Sequence, residues 1–130
     1  MAWVFVGYGL LRLLQGNYDT AATHLEEGLK LFQQARDKIG MTVSLERLAA
    51  LASARGQTVR AVRLFGAAAE LRTVIGWPRP PVDRSYYESL LAAARTQLDE
   101  ATFATAWAEG RAMTLEQAIA DALEDETTAA

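Results

Sequence analysis

Gly16-Asn17-Tyr18-Asp19-Thr20-Ala21 decides the fold, because a second version of it stands 40 residues on as Gly56-Gln57-Thr58-Val59-Arg60-Ala61. The correspondence spreads outward at the same offset. Phe5 meets Leu45, Tyr8 meets Leu48, Gly9 meets Ala49, Leu25 meets Phe65 and Gly28 meets Ala68. The small pairs carry the argument. Gly9/Ala49 and Ala21/Ala61 let two helices of a hairpin approach closely. Gly16/Gly56 fall where the chain turns between them. Gly28/Ala68 let the next hairpin stack. A unit that cannot bury its apolar face alone, repeated at a fixed period, is the sequence signature of a stacked helical array.

Apolar spacing of three and four places helices around the repeat. Asn17 to about Ala35 sets Ala21, Leu25, Gly28, Leu29 and Phe32 on one face, and Lys38 to Ala54 does so with Leu45, Leu48, Ala49 and Ala52. Thr58 to Ile75 follows, with Thr58 as its N-cap, Gly76 as its C′ residue and Pro78, Pro80 and Pro81 barring continuation. Asp83 to Leu98, a short helix capped by Asp99, and a helix opened by the capping box Thr114-Leu115-Glu116-Gln117 complete the series. The expectation is an all-α single domain over residues 1–126: a first hairpin 1–35, a second 38–75, and capping helices 82–126, with Asp83–Leu98 completing the stack. Residues 127–130 are expected to be a disordered tail. The apolar opening MAWVFVGYGLLRLL reads as a helix buried from both sides, and hence the chain as a fragment of a longer protein.

This logic resembles the tetratricopeptide repeat, with Gly16-Asn17-Tyr18-Asp19-Thr20-Ala21 standing for its Gly-Asp/Asn-Tyr-x-x-Ala turn. The period here is 40 against the usual 34. The excess is expected within Gln33–Met41, as a longer helix or a link. Leu48 to Leu123 is further similar to the C-terminal end of large bacterial LuxR-type and related activators with a nucleotide-binding STAND ATPase core. The residues that carry this are Leu48-Ala49-Ala50-Leu51-Ala52-Ser53-Ala54-Arg55-Gly56-Gln57, Ala61 to Ala68, Pro80-Pro81 with Arg84, Tyr86-Tyr87 and Glu88, and Ala106-Trp107-Ala108-Glu109-Gly110-Arg111-Ala112-Met113-Thr114. The resemblance implies a cytoplasmic, non-enzymatic sensor module whose partner is a protein, the rest of its own chain included, or a peptide or small inducer. It also implies that DNA binding belongs to another domain. The alternative is a purely structural solenoid cap of a cyclase- or kinase-linked signalling protein.

Composition narrows the chemistry. The 130 residues are 51% hydrophobic and 22% charged, enough for a packed core, and the absence of Cys removes disulfides, thiolate metal sites and Cys nucleophiles. The net charge of −3 counts against a nucleic-acid binder. No phosphate-binding Gly-x-x-x-x-Gly-Lys-Ser/Thr loop is present. Gly7-Tyr8-Gly9 starts like a dinucleotide loop, but Arg12 stands where the third Gly belongs. His24 is the single His, expected exposed and unliganded, and Ser85 has no partner for a triad. Glu26-Glu27 and Asp99-Glu100 point two ways around their helices. Arg47, Arg55, Arg60 and Arg63 flank one hairpin, whose near-antiparallel helices suit packing rather than DNA reading. Arg63 and Arg72 are expected to pair with Glu70 or the acidic second half. No catalytic residue, cofactor, metal or membrane span is expected.

The candidate interaction groove takes Trp3, Val6, Leu10, Leu13 and Leu14 from the first helix. The second repeat places Val43, Glu46, Ala50 and Ser53 alongside them, with Ala54. So apolar a face is either a binding surface or one covered by a preceding repeat. If bare, Trp3, Val6, Leu10, Leu13 and Leu14 would make the isolated chain a homodimer through its first helix.

Overall fold

The computed structural model describes residues 1–124, so the expected tail at 127–130 and the last two residues of the capping segment lie outside it. Seven helices run in order among these residues: α1 Ala2–Leu14, α2 Tyr18–Ala35, α3 Lys38–Ala54, α4 Thr58–Ile75, α5 Pro81–Gln97, α6 Glu100–Ala112 and α7 Leu115–Leu123. No strand occurs among them.

The 40-residue repeat is an exact repeat of backbone geometry at the turns. Gly16 and Gly56 both sit at φ 79°, in the left-handed region that glycine enters without steric cost. In each copy the Gly N–H donates to the carbonyl three residues back, at 3.0 Å to Leu13 and 3.1 Å to Ser53, which closes the ends of α1 and α3. Asn17 and Gln57 are the N-caps, so Thr58 is the first helical residue of α4 rather than its cap. The Thr58 hydroxyl instead bonds Gln97 Oε1 at 2.7 Å, tying α4 to the end of α5. At the far ends Arg36 and Gly76 are equivalent, both left-handed, at φ 58° and 68°. Only Arg36 and Asp37 separate α2 from α3, so the excess over the usual period lies in helix length, not in a link.

Glycines set the helix spacing. A Cβ on Gly9 would lie 2.5 Å from the Leu25 side chain, and one on Gly28 would lie 2.6 Å from Val6 and 3.3 Å from the Ala2 carbonyl. Both therefore permit the α1–α2 crossing. Gly28 works inside the first hairpin and not, as its pairing with Ala68 suggested, between hairpins. Leu25, Leu29, Leu45, Leu64 and Phe65 are fully buried along the α1–α4 core. Each such side chain contributes about 1.5–3 kcal/mol on leaving water.

The third place in the stack goes to α6, not α5. Gly66 of α4 faces the Trp107 carbonyl and Gly110 of α6 faces the Arg63 carbonyl, with no room for a Cβ at either. The helices thus meet backbone to backbone, and Ala67, at 2% exposure, lies in this interface. Phe103 and Trp107 stack with planes 8° apart, and Phe103, Ala106, Val62 and Ala94 form a satellite core. Asp99 caps α6 through the Thr102 N–H at 2.7 Å, and Thr114 and Gln117 form the capping box that starts α7. Ala118, Ile119 and Ala122 then fold α7 back onto the main core. Helix α5 spans the remaining face and is the least buried: of its described side chains only Tyr87 and Ala94 are buried.

Candidate interaction surface

Glu46 is the one charged residue of the groove expected from sequence. It sits in the third turn of α3, a helix buried from Gly40 to Glu46 and again from Leu48 to Ala52, and is itself 1% exposed. A carboxylate so deep must be paired. Arg72, from the last turn of α4, donates from Nε to Oε2 at 2.6 Å and from Nη2 to Oε1 at 2.7 Å. Arg79, from the loop before α5, adds a bond from Nη2 to Oε2 at 2.6 Å. Arg72 also lies 4.5 Å over the Trp77 ring and donates to its carbonyl, and Arg79 lies 4.5 Å over the Tyr87 ring. Burial, with the Glu46 charge nearby, pushes the Tyr87 hydroxyl up to about 12 against an opposing effect of Arg47. Arg47 donates to the Val6 carbonyl at 2.8 Å, joining this face to α1.

These positions correct the groove expected from sequence. Val6, Leu13, Val43, Glu46 and Ala50 are buried, while Leu10 and Ser53 are half-buried. Only Trp3 and Leu14 are open, at 49% and 64% exposure, and Trp3 packs edge-on to Phe32 with centroids 4.8 Å apart. The nine do not form one open surface. Arg79 of the Trp77–Pro81 loop, stacked on Tyr87, reaches over Glu46, and Val6 packs against Gly28 of α2 inside the hairpin. The pairing expected for Arg72 is corrected too, since its partner is Glu46 and Glu70 bonds Arg111 instead.

The bare side of α1 is one step round. Val4, Tyr8, Leu11 and Leu14 are 44–64% exposed and, with Gly7, recur at helical spacing along one stripe. A Cβ at Gly7 would meet nothing within 4 Å. Sequence reasoning missed this face because the helix is apolar all round, and only Arg12 breaks the run.

A cavity of about 640 Å³ opens between α2, α3, α4 and α7, lined by Leu48, Leu51, Arg55, Arg60, Leu64 and Leu123 among others. Arg60 donates to the carbonyls of Asp121, Ala122 and Glu124, the C-terminal end of α7, where a cation opposes the helix dipole favourably. Arg63 holds Asp121 through two bonds at 2.9 and 3.1 Å, which raises its own affinity for the proton. Arg55 bonds Asp19 at 2.7 Å. The four arginines that flank the second hairpin are thus engaged within the chain.

His24 is half-buried between Phe5 and Tyr8, 6.0 and 6.1 Å from their rings, rather than exposed. No group of three His, Asp or Glu side chains is placed to hold a metal among the described residues. Gly7-Tyr8-Gly9 lies inside α1, so it forms no loop around a phosphate. No helix among the described residues is long and apolar enough to cross a membrane.

The tetratricopeptide repeat family profile matches residues 1–73. Proteins of Mycobacterium bovis and of two strains of Mycobacterium tuberculosis, each named "Putative HTH-type transcriptional regulator", are 39% identical over 81 residues. That alignment covers 62% of this chain and 9% of each relative, so the chain spans a small part of their length. No solved structure matches.

Proposed function

The chain belongs to the tetratricopeptide repeat family, and on that premise we infer that it is a non-enzymatic interaction and sensor module of a bacterial transcriptional regulator. The parent is a LuxR-type or related activator with a STAND ATPase core, acting in the cytoplasm, and this module belongs to its C-terminal region. The observation that carries the reading is that a chain matching the tetratricopeptide repeat family is also 39% identical over 81 residues to proteins named as transcriptional regulators. The engagement of Arg47, Arg55, Arg60 and Arg63 within the fold supports a role without direct DNA contact. Binding of a protein, peptide or small inducer would act by changing how the stack packs against the remainder of the parent.

The alternative, a structural cap, is favoured by one observation. Helix α6 seals α4 backbone to backbone, and α7 covers α3 and α4, as terminal elements of a repeat array must. The two roles are separable by experiment. The whole regulator and the regulator lacking residues 1–124 are compared for nucleotide-dependent assembly and for retention of promoter DNA. An interaction module changes assembly and leaves DNA retention to the rest of the protein. Retention of duplex DNA by this chain alone would overturn the assignment.

A further inference from the structure

We propose that the segment from Gly76 to Tyr87 is an internal ligand of the tetratricopeptide groove, and that the groove's true partner is a peptide carrying an arginine beside an aromatic side chain. The inference rests on the reading of the chain as an interaction module. Three observations lead to it.

The first is charge. Glu46 is already satisfied on both oxygens by the bidentate Arg72, which neutralises it inside the fold. Arg79 adds a second cation to the same Oε2. It is therefore surplus to the requirement that a buried charge be paired. The second is fit. Arg79 stacks on Tyr87, its Nη2 reaches Glu46, yet its Nε is buried without an acceptor. A docked arginine with one donor unmatched gives up part of what its bonds return, which keeps the docked state shallow. The third is attachment. Tyr87 meets Phe65 edge-on at 5.9 Å and is the buried anchor of the first half of α5. The second half is held separately, by Ala94 in the satellite core, Arg95 over Phe103 and Gln97 on Thr58. The strap can lift at its Tyr87 end and stay tethered at its Gln97 end. Lifting it uncovers Glu46, Arg72 and Phe65. A depression of about 460 Å³ already marks the edge of the strap, between Ala69, Arg72 and Thr73 of α4 and Gly76, Pro78 and Arg79.

An incoming segment that presents a guanidinium to Glu46 and an aromatic ring against Phe65 would replace what Arg79 and Tyr87 supply. A local opening of this kind draws on the low end of a protein's stability range.

The test uses the full chain and Arg79→Ala. By hydrogen exchange, amides of Tyr86–Ala94 should exchange about tenfold faster or more in the variant, as loss of one charge-assisted bond requires. Those of α3, α6 and α7 should be unchanged. A synthetic peptide of residues 76–88 should bind the Arg79→Ala chain at least about tenfold more tightly than the wild type, whose groove is filled. The same peptide with Ala in place of Arg79, and Arg84 kept, should not bind. Unchanged α5 exchange, or unfolding of the whole chain on losing Arg79, overturns the strap. Faster α5 exchange without peptide binding overturns the groove as the receiving site and leaves the family assignment standing.

Discussion

Alanine at Gly110 should destabilise this protein, although alanine is the better helix former. In an open helix the change from Gly gains about 0.5–1 kcal/mol from lost backbone entropy of the unfolded chain. At Gly110 the new Cβ would overlap the Arg63 carbonyl, with the Ala67 N–H only 3.0 Å away. Both are backbone, so no flexible side chain can yield and α4 and α6 must separate. Overpacking of this kind costs about 1–3 kcal/mol and can exceed it. The helix gain offsets part of that, leaving a net loss of about 1 kcal/mol at the middle of the two ranges and up to about 2.5 kcal/mol. Gly7→Ala is the control, because its Cβ meets nothing within 4 Å and its φ is helical. It should stabilise by about 0.5–1 kcal/mol. Urea denaturation at one fixed protein concentration reads both, and each kcal/mol corresponds to about 3–5 °C in Tm for a domain of this size. If Gly110→Ala gains stability as Gly7→Ala does, the backbone-to-backbone crossing is wrong.

Three further outcomes follow from the same packing. Ala61→Leu and Ala67→Leu should each lose about 1–3 kcal/mol or more, since both sites are at most 2% exposed; near-neutral melting of the Ala67 variant would move α6 off α4. Tyr87 is neutral in the fold with its pKa raised to about 12, so its contribution is whole below pH 10 and is lost as pH rises from about 10 to 12. Tyr87→Phe should flatten the stability curve in that window, and a slope unchanged by the substitution would place the hydroxyl in water. The homodimer expected from sequence, taken through the bare side of α1, should be lost in light scattering on changing Leu11→Glu with Leu14→Glu while helicity stays intact, because both side chains are exposed; a wild-type chain that is already monomeric would refute it. Leu10→Glu with Leu13→Glu should unfold it instead, since Leu13 is 6% exposed and Leu10 packs on the core.

What could be read in advance followed from local chemistry. Gly16 and Gly56 announce left-handed turns because little else occupies that conformation cheaply, and Asp99 and Thr114 announce helix starts through short-range caps. The stacking partner of α4 was not legible from amphipathicity. Tyr87, Leu90, Leu91 and Ala94, with Leu98 just past its end, give α5 the stronger apolar spacing, yet α6 wins the place through Gly66 and Gly110. Gly66 was the available signal, and it was hidden because it falls opposite Glu26 at the 40-residue offset. The sidedness of α1 was equally hidden, since a helix with one charged residue has no polar face to orient it. Glu46 was taken as lining an open groove, whereas it is buried and paired. Its partners lie 26 and 33 residues away, and no local spacing reports a contact at that range.

The central claim is that two tetratricopeptide hairpins present an inner face which the chain itself fills. The most direct measurement is a nuclear Overhauser spectrum of the free wild-type chain. It should show Tyr87 ring protons close to those of Phe65, together with Gly110 Hα close to the Ala67 amide proton. A spectrum with the Gly110–Ala67 contact but no Tyr87–Phe65 contact would contradict the claim, because the stack would then stand with its groove open.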